Sequence, residues 1–403
     1  MKLLQKLVTD DLKIREIEDG LEKLERRIPL TPLSLRLLVR LVEEGNEIPA
    51  SLAELYQQFT DLALGRYDRK KGIAVVFEYE VKKRFLAELA FRLFVEQDTL
   101  VVTMQQFEGF LDEYSTRYNW AADQVPAFVD ELKRSCVLEF EPHVAFAQRS
   151  FLEFFAGYYL YEHRDEIEGL SKTAVQHYYQ DIWGDVVFFY VGLRRELPAE
   201  LLEALLEHVS ADEGEERMLS HAVGKFMIGR LLQAAWHSES RIKSMGIEGC
   251  VDSLPDVRHR LSQRLEGSMG SGWADLILLL LSRESFGSAL LAKEAIVILE
   301  DLVSPDSESP HRLAKAVVLL AGIVAHVIPE DRPALVEALH TQISSEVMDT
   351  VEKARLMLML RIPARSLEGA TKAIKRRLKR MRRRTPKVFE GILPKQRKRG
   401  RKP

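Results

Sequence analysis

Residues 144–161, VAFAQRSFLEFFAGYYLY, restrict this chain's fold more than any other stretch. Val144 and Phe146 alternate like a short strand, which stops at Arg149-Ser150, where an aromatic-rich helix begins. Ser150 followed three residues later by Glu153 spells a capping box, so the sequence predicts Ser150 as the N-cap. Phe151, Phe154, Phe155, Tyr158 and Tyr159 then recur at helical spacing and form one broad apolar face. That stripe reads as core.

The flanking sequence keeps mostly helical period. Pro32 opens a helix over Leu33–Glu44, which Gly45-Asn46 ends, and Pro49-Ala50-Ser51 starts another through Leu52, Leu55, Phe59 and Leu62. Between Phe77 and Tyr161 the pattern changes. A helix over Glu78–Glu96 precedes the β-branched run Thr99–Thr103. Helices over Met104–Tyr118 and Val125–Cys136 come next. Two extended segments, Val137–Phe140 and His143–Phe146, flank Glu141-Pro142 and read as a hairpin. Helix, strand, helix, helix, hairpin, helix is the order of a winged helix.

After Tyr161, segments near 199–209, 217–236, 273–284, 287–303, 311–328, 331–346, 349–361 and 366–384 read as helices. From 273 onward they are expected to pair as short antiparallel hairpins, a HEAT-like array without a clean repeat period. The expected fold class is therefore mainly α, a winged-helix domain flanked by helical domains. The boundaries are a helical segment at 1–72, the winged helix at 73–163, a helical domain at 164–270, an array at 271–370 and a basic tail at 371–403.

Composition excludes several function classes. With 403 residues, 46% hydrophobic and 30% charged, the chain can bury a sizeable core. Cys136 and Cys250 lie far apart in hydrophobic surroundings. They are expected to be small buried hydrophobes in a reducing cytoplasm, and they rule out a disulfide framework or cysteine-rich metal site. The ten histidines are scattered, with no H-x-x-x-H pair to hold a metal. No secretory leader is expected after Met1. The best apolar run, 316–328, is too short to cross a bilayer and reads as a buried helix. No G-x-x-x-x-G-K-[ST] loop and no catalytic Ser/His/Asp spacing is present, so the chain is expected not to be an enzyme.

Charge is unevenly placed. Residues 371–403 hold 16 of the 58 Lys and Arg and one of the 61 acidic residues, a formal +15. That leaves 42 cationic against 60 acidic residues, −18, in residues 1–370. The tail cations Lys375, Arg376, Arg377, Lys379, Arg380, Arg382, Arg383 and Arg384 cover most of a helix circumference. Lys395, Arg397, Lys398, Arg399, Arg401 and Lys402 follow in a segment too poor in apolar residues to fold alone. This density suits phosphate neutralisation by salt-sensitive, sequence-independent contacts. The chain's own acidic body and an anionic membrane remain open as alternative targets of the tail.

Several segments together resemble the region that follows the nucleotide-binding domain in bacterial NACHT-type signalling NTPases. They are Arg27–Leu35, Glu47–Tyr56, the Ser-Phe-x-Glu-Phe-Phe run at 150–155, Asp181–Gly192 and Gly229–Ala235, spread over about residues 20–240. The resemblance implies a regulatory ATPase family that switches between ADP and ATP states and oligomerises in signalling or defence. It implies that Pro32 approaches the nucleotide and that Gln148 stands where the family's winged-helix histidine contacts phosphate. A glutamine amide donates a hydrogen bond but carries no charge. ATP or ADP would enter only through a nucleotide-binding domain supplied by a partner. A protein partner or a second copy is therefore expected, and a small-molecule substrate is not. The candidate recognition helix carries Asp130, Glu131, Lys133 and Arg134, a mixed face that predicts a packing role rather than DNA reading.

Overall fold

The computed structural model describes Ile17 and residues 32–49, 51–66, 76–94, 101–164, 174–175, 177–179, 183–208, 215–264, 271–304 and 306–323. These residues are mainly helical, with one small three-stranded antiparallel sheet.

Helices α1 (Pro32–Glu43) and α2 (Leu52–Ala63) form a packed pair. Gly45 ends α1 because the chain there needs positive φ, +77°, at no side-chain cost. The Gly45 N–H then donates to Val42 O and the Asn46 N–H to Leu41 O, closing the open carbonyls of the last turn. Gly65 repeats the device after α2. Ser51 caps α2, its side chain accepting from the Glu54 N–H at 3.2 Å.

Next come α3 (Tyr79–Arg92), β1 (Val101–Val102), α4 (Met104–Arg117), α5 (Gln124–Ser135), β2 (Leu138–Glu139), β3 (Val144–Phe146) and α6 (Arg149–Glu162). The strand order is β1-β3-β2. Val101 faces Ala145 on one side of β3, and Leu138 faces Phe146 on the other. Thr103 and Gln106 form a complete capping box that starts α4 directly after β1. Phe85 of α3 is the hub of this unit, with the rings of Phe107, Phe110, Tyr114 and Phe128 at 5.1–5.9 Å in edge-on or tilted contacts.

The remaining helices are α7 (Gly184–Arg194), α8 (Ala199–Glu207), α9 (Glu215–Ala234), α10 (Ser240–Asp252), α11 (Leu254–Arg264), α12 (Ser271–Phe286), α13 (Ala289–Val303) and α14 (Arg312–Ile323). α9 packs on α12 and α10 on α13, so one helix pair stacks on the next. α14 lies against both α12 and α13, and these two touch each other far less than each touches α14. The chain neighbours α13 and α14 pack closely at this end, whereas α12 and α13 barely touch.

Two helices, α10 and α11, fall where the sequence pattern shows none. Gly246 and Gly249 put backbone of α10 against Leu232 and Leu206, so the buried face of α10 carries little hydrophobic signal. α11 buries only Leu254, Val257 and Leu261. The apolar run at 316–328 begins as expected, with Ala316, Val317, Val318, Leu319, Leu320 and Ile323 buried in α14. No described helix is long and apolar enough to cross a membrane. The helices expected at 331–346, 349–361 and 366–384 lie outside the described residues.

Of the two cysteines expected to be buried, one is and one is not. Cys250 is buried, and burial pushes its thiol up to about 12. Cys136 is exposed, because it holds the left-handed C-cap of α5 at φ 56° and its side chain points away from the core.

Candidate functional site at the start of α6

α6 is buried on nearly every side, because α3 and α7 pack along its length and α2 meets its first turns. Its N-cap is Gln148, two residues before the predicted one. Ser150 is the second residue of α6, already inside its first turn, and its hydroxyl accepts a hydrogen bond from the Tyr56 hydroxyl of α2 at 2.7 Å. Glu153 completes no capping box. It pairs instead with Arg149 one turn earlier, Nε to Oε1 2.7 Å.

Tyr56 anchors the junction. Its ring lies 5.1–5.9 Å from those of Phe151, Phe154 and Phe189, joining α2, α6 and α7. Burial raises its hydroxyl pKa, and the Glu153 and Asp185 charges add to the shift. The Arg195 guanidinium, just after α7, reaches Glu54 of α2 at 2.8 Å.

A cluster of charges closes the junction. Asp185, in the first turn of α7, accepts from Arg230 of α9 at 2.7 Å, and that guanidinium lies over the Phe188 ring at 4.9 Å. Glu153 is 7% exposed and faces this pair. Burial, then repulsion by Asp185, pushes its carboxyl up to about 7, although Arg149 and Arg230 pull it down. Asp185, Arg230 and Tyr56 carry no local motif, because their contacts span 45 residues or more. Glu153 alone left a signal: a carboxylate inside an aromatic stripe, four residues after an arginine.

The residues singled out from sequence separate. Pro32 is the first residue of α1, the ordinary place for a helix-starting proline. Gln148 is exposed and caps α6 with backbone only. Their two helices meet through α2, which packs on α1 and on the first turns of α6. The tail cations from Lys375 to Lys402 lie outside the described residues.

A second group of rings sits between α8 and α9. Tyr179 stacks on His208 at 5.0 Å and lies 4.2 Å from His221. Burial and the neighbouring Lys225 push His221 down to about 4, so it is neutral at physiological pH. Among the described residues no three His, Cys, Asp or Glu side chains gather to hold a metal. A small groove of about 150 Å³ lies between α3, α4 and β1, lined by Leu89, Leu93, Val102 and Phe110 and by the Arg92–Glu113 ion pair.

In comparisons with known proteins, no family model and no curated sequence matches this chain.

Proposed function

We propose that this chain is a non-catalytic regulatory or scaffold module of a NACHT-type NTPase signalling or defence system, acting through autoinhibition, oligomerisation or ligand sensing. The carrying observation is the element order from α3 to α6, with β1 and β2 on either side of β3. That order supports a winged helix with the β2–β3 hairpin as its wing. The stacking of α9/α10 on α12/α13 supports a helical array after it.

The α5 helix supports a packing role for the winged helix. Its Glu131 points inward, accepting from Lys82 at 2.9 Å and from the Val76 N–H at 2.8 Å. Asp130, Lys133 and Arg134 stay outside as a mixed-charge face, a weak attractor of phosphate. With no P-loop in its sequence, the chain would meet ATP or ADP only beside a nucleotide-binding domain, with Pro32 and Gln148 as the contributions of α1 and α6. Purified chain incubated with Mg-ATP is expected to release no phosphate. Turnover that survives repurification would overturn the proposal.

A second reading rests on the +15 charge of residues 371–403. There the chain binds nucleic acid through Lys375–Arg384 and Lys395–Lys402, and the folded body is its cargo.

A further inference from the structure

Glu153 is the only charged residue among those that α6 buries. The groups facing it come from four helices: Arg149 from α6, Asp185 from α7, Arg230 from α9 and Tyr56 from α2. α3 also packs on α6, one turn further along, where the Lys83 ammonium sits over the Tyr158 ring at 4.2 Å and pairs with Asp61. The Asp185 charge thus acts on Glu153 across adjacent helices, and each carboxylate is paired with an arginine that is itself half in water, Arg149 52% and Arg230 37% exposed. One turn beyond, the helices leave no slack. A Cβ on Gly157 would lie 2.7 Å from Val186 O.

We propose that this cluster makes the α6–α7 contact a proton-operated joint. It is closed while Glu153 holds a proton, and it loosens when that proton passes to solvent and two carboxylates face each other across the helix pair. α7 carries the Arg195–Glu54 and Asp185–Arg230 links, so the loosening reaches both α2 and α9.

The direction follows from linkage. In the closed joint the Glu153 carboxyl sits at about 7, whereas in water it returns to the ordinary value of 4.5. The proton's preference for the closed joint is complete below the lower value and is lost as pH rises through the higher one. Tyr56 is shifted upward, away from this interval.

Hydrogen exchange of the full chain tests the joint. After correction for intrinsic rates, the wild-type amides of residues 184–194 should lose roughly tenfold or more protection between about pH 5 and about pH 8. Glu153→Gln, a neutral isostere, should hold that protection level flat. Asp185→Asn removes the repelling charge from a half-exposed site and should move the wild-type midpoint to lower pH. An unchanged wild type, an equal loss in Glu153→Gln, or an unmoved midpoint in Asp185→Asn overturns the proposal. The last readout decides alone if Glu153→Gln does not fold.

Discussion

Lys82 and Lys83 are neighbours on α3, yet they leave the helix in different directions. Lys82 crosses to Glu131 of α5 at 2.9 Å, and Lys83 reaches Asp61 of α2 at 3.0 Å. All four side chains are 5% exposed or less. Taking such charges out of water is costly, so these pairs fix geometry more than they add net stability. Removing one partner strands the other, and among the described residues Lys82→Met would leave Glu131 with the Val76 N–H. That substitution should cost about 3–5 kcal/mol in urea unfolding near neutral pH. Adding Glu131→Gln should recover much of the loss, since the stranded charge is then gone. The exposed Arg40–Glu44 pair is the contrast: Arg40→Ala should shift stability by no more than about 0.5 kcal/mol. A double-mutant result in which Glu131→Gln recovers nothing would show that the Lys82 stem packing, not the charge, carries the site.

At the scale of elements, the helices meet where side chains are smallest. Gly157 lets α6 lie against the backbone of α7, with Val186 O, Phe189 Cβ and Tyr190 N all within 3.0 Å of where a Cβ would stand. Two of these three are backbone atoms and cannot swing aside. Gly157→Ala should therefore push the helices apart and cost about 1–3 kcal/mol despite alanine's better helix propensity. Gly184, at the start of α7, has nothing within 4 Å. Gly184→Ala should be neutral or slightly stabilising, so thermal melts should fall for Gly157→Ala and hold or rise slightly for Gly184→Ala. The same reliance on small residues limits what could be read from the sequence. α1, α2, α4 and the β2–β3 hairpin were legible because breakers, caps and apolar period agree locally. α10 was not, because Gly246 and Gly249 pack by being absent from the hydrophobic pattern. The start of α6 was misread for another reason. The helix begins one residue before Ser150, whose hydroxyl meets Tyr56, 94 residues earlier, and no local motif encodes that distant partner. The junction charges Asp185 and Arg230 were illegible for the same cause.

For the whole molecule, the decisive property is an acidic body joined to a cationic tail. Glu200, Glu203 and Glu207 line the outer side of α8, all exposed, while Leu201, Leu202 and Leu205 of the same helix are buried. Such a surface repels phosphate, and if it holds the chain's own Lys and Arg, nucleic acid competes with the body for the tail. Competition of this kind is electrostatic on both sides and weakens with salt. If the nucleic-acid reading holds, full-length protein should shift labelled duplex at low salt, and the 1–370 truncation, at −18, should not. The slope of log affinity against log salt should then count phosphates. About ten tail contacts would give a slope near −9, and the affinity would not depend on sequence. Equal shifts by the full chain and the truncation would place binding on the folded body and remove the tail from the argument. No shift by either at low salt would leave the cations on the acidic surface. In that case adding salt to the full chain, but not to the truncation, should raise its hydrodynamic radius as the tail is released.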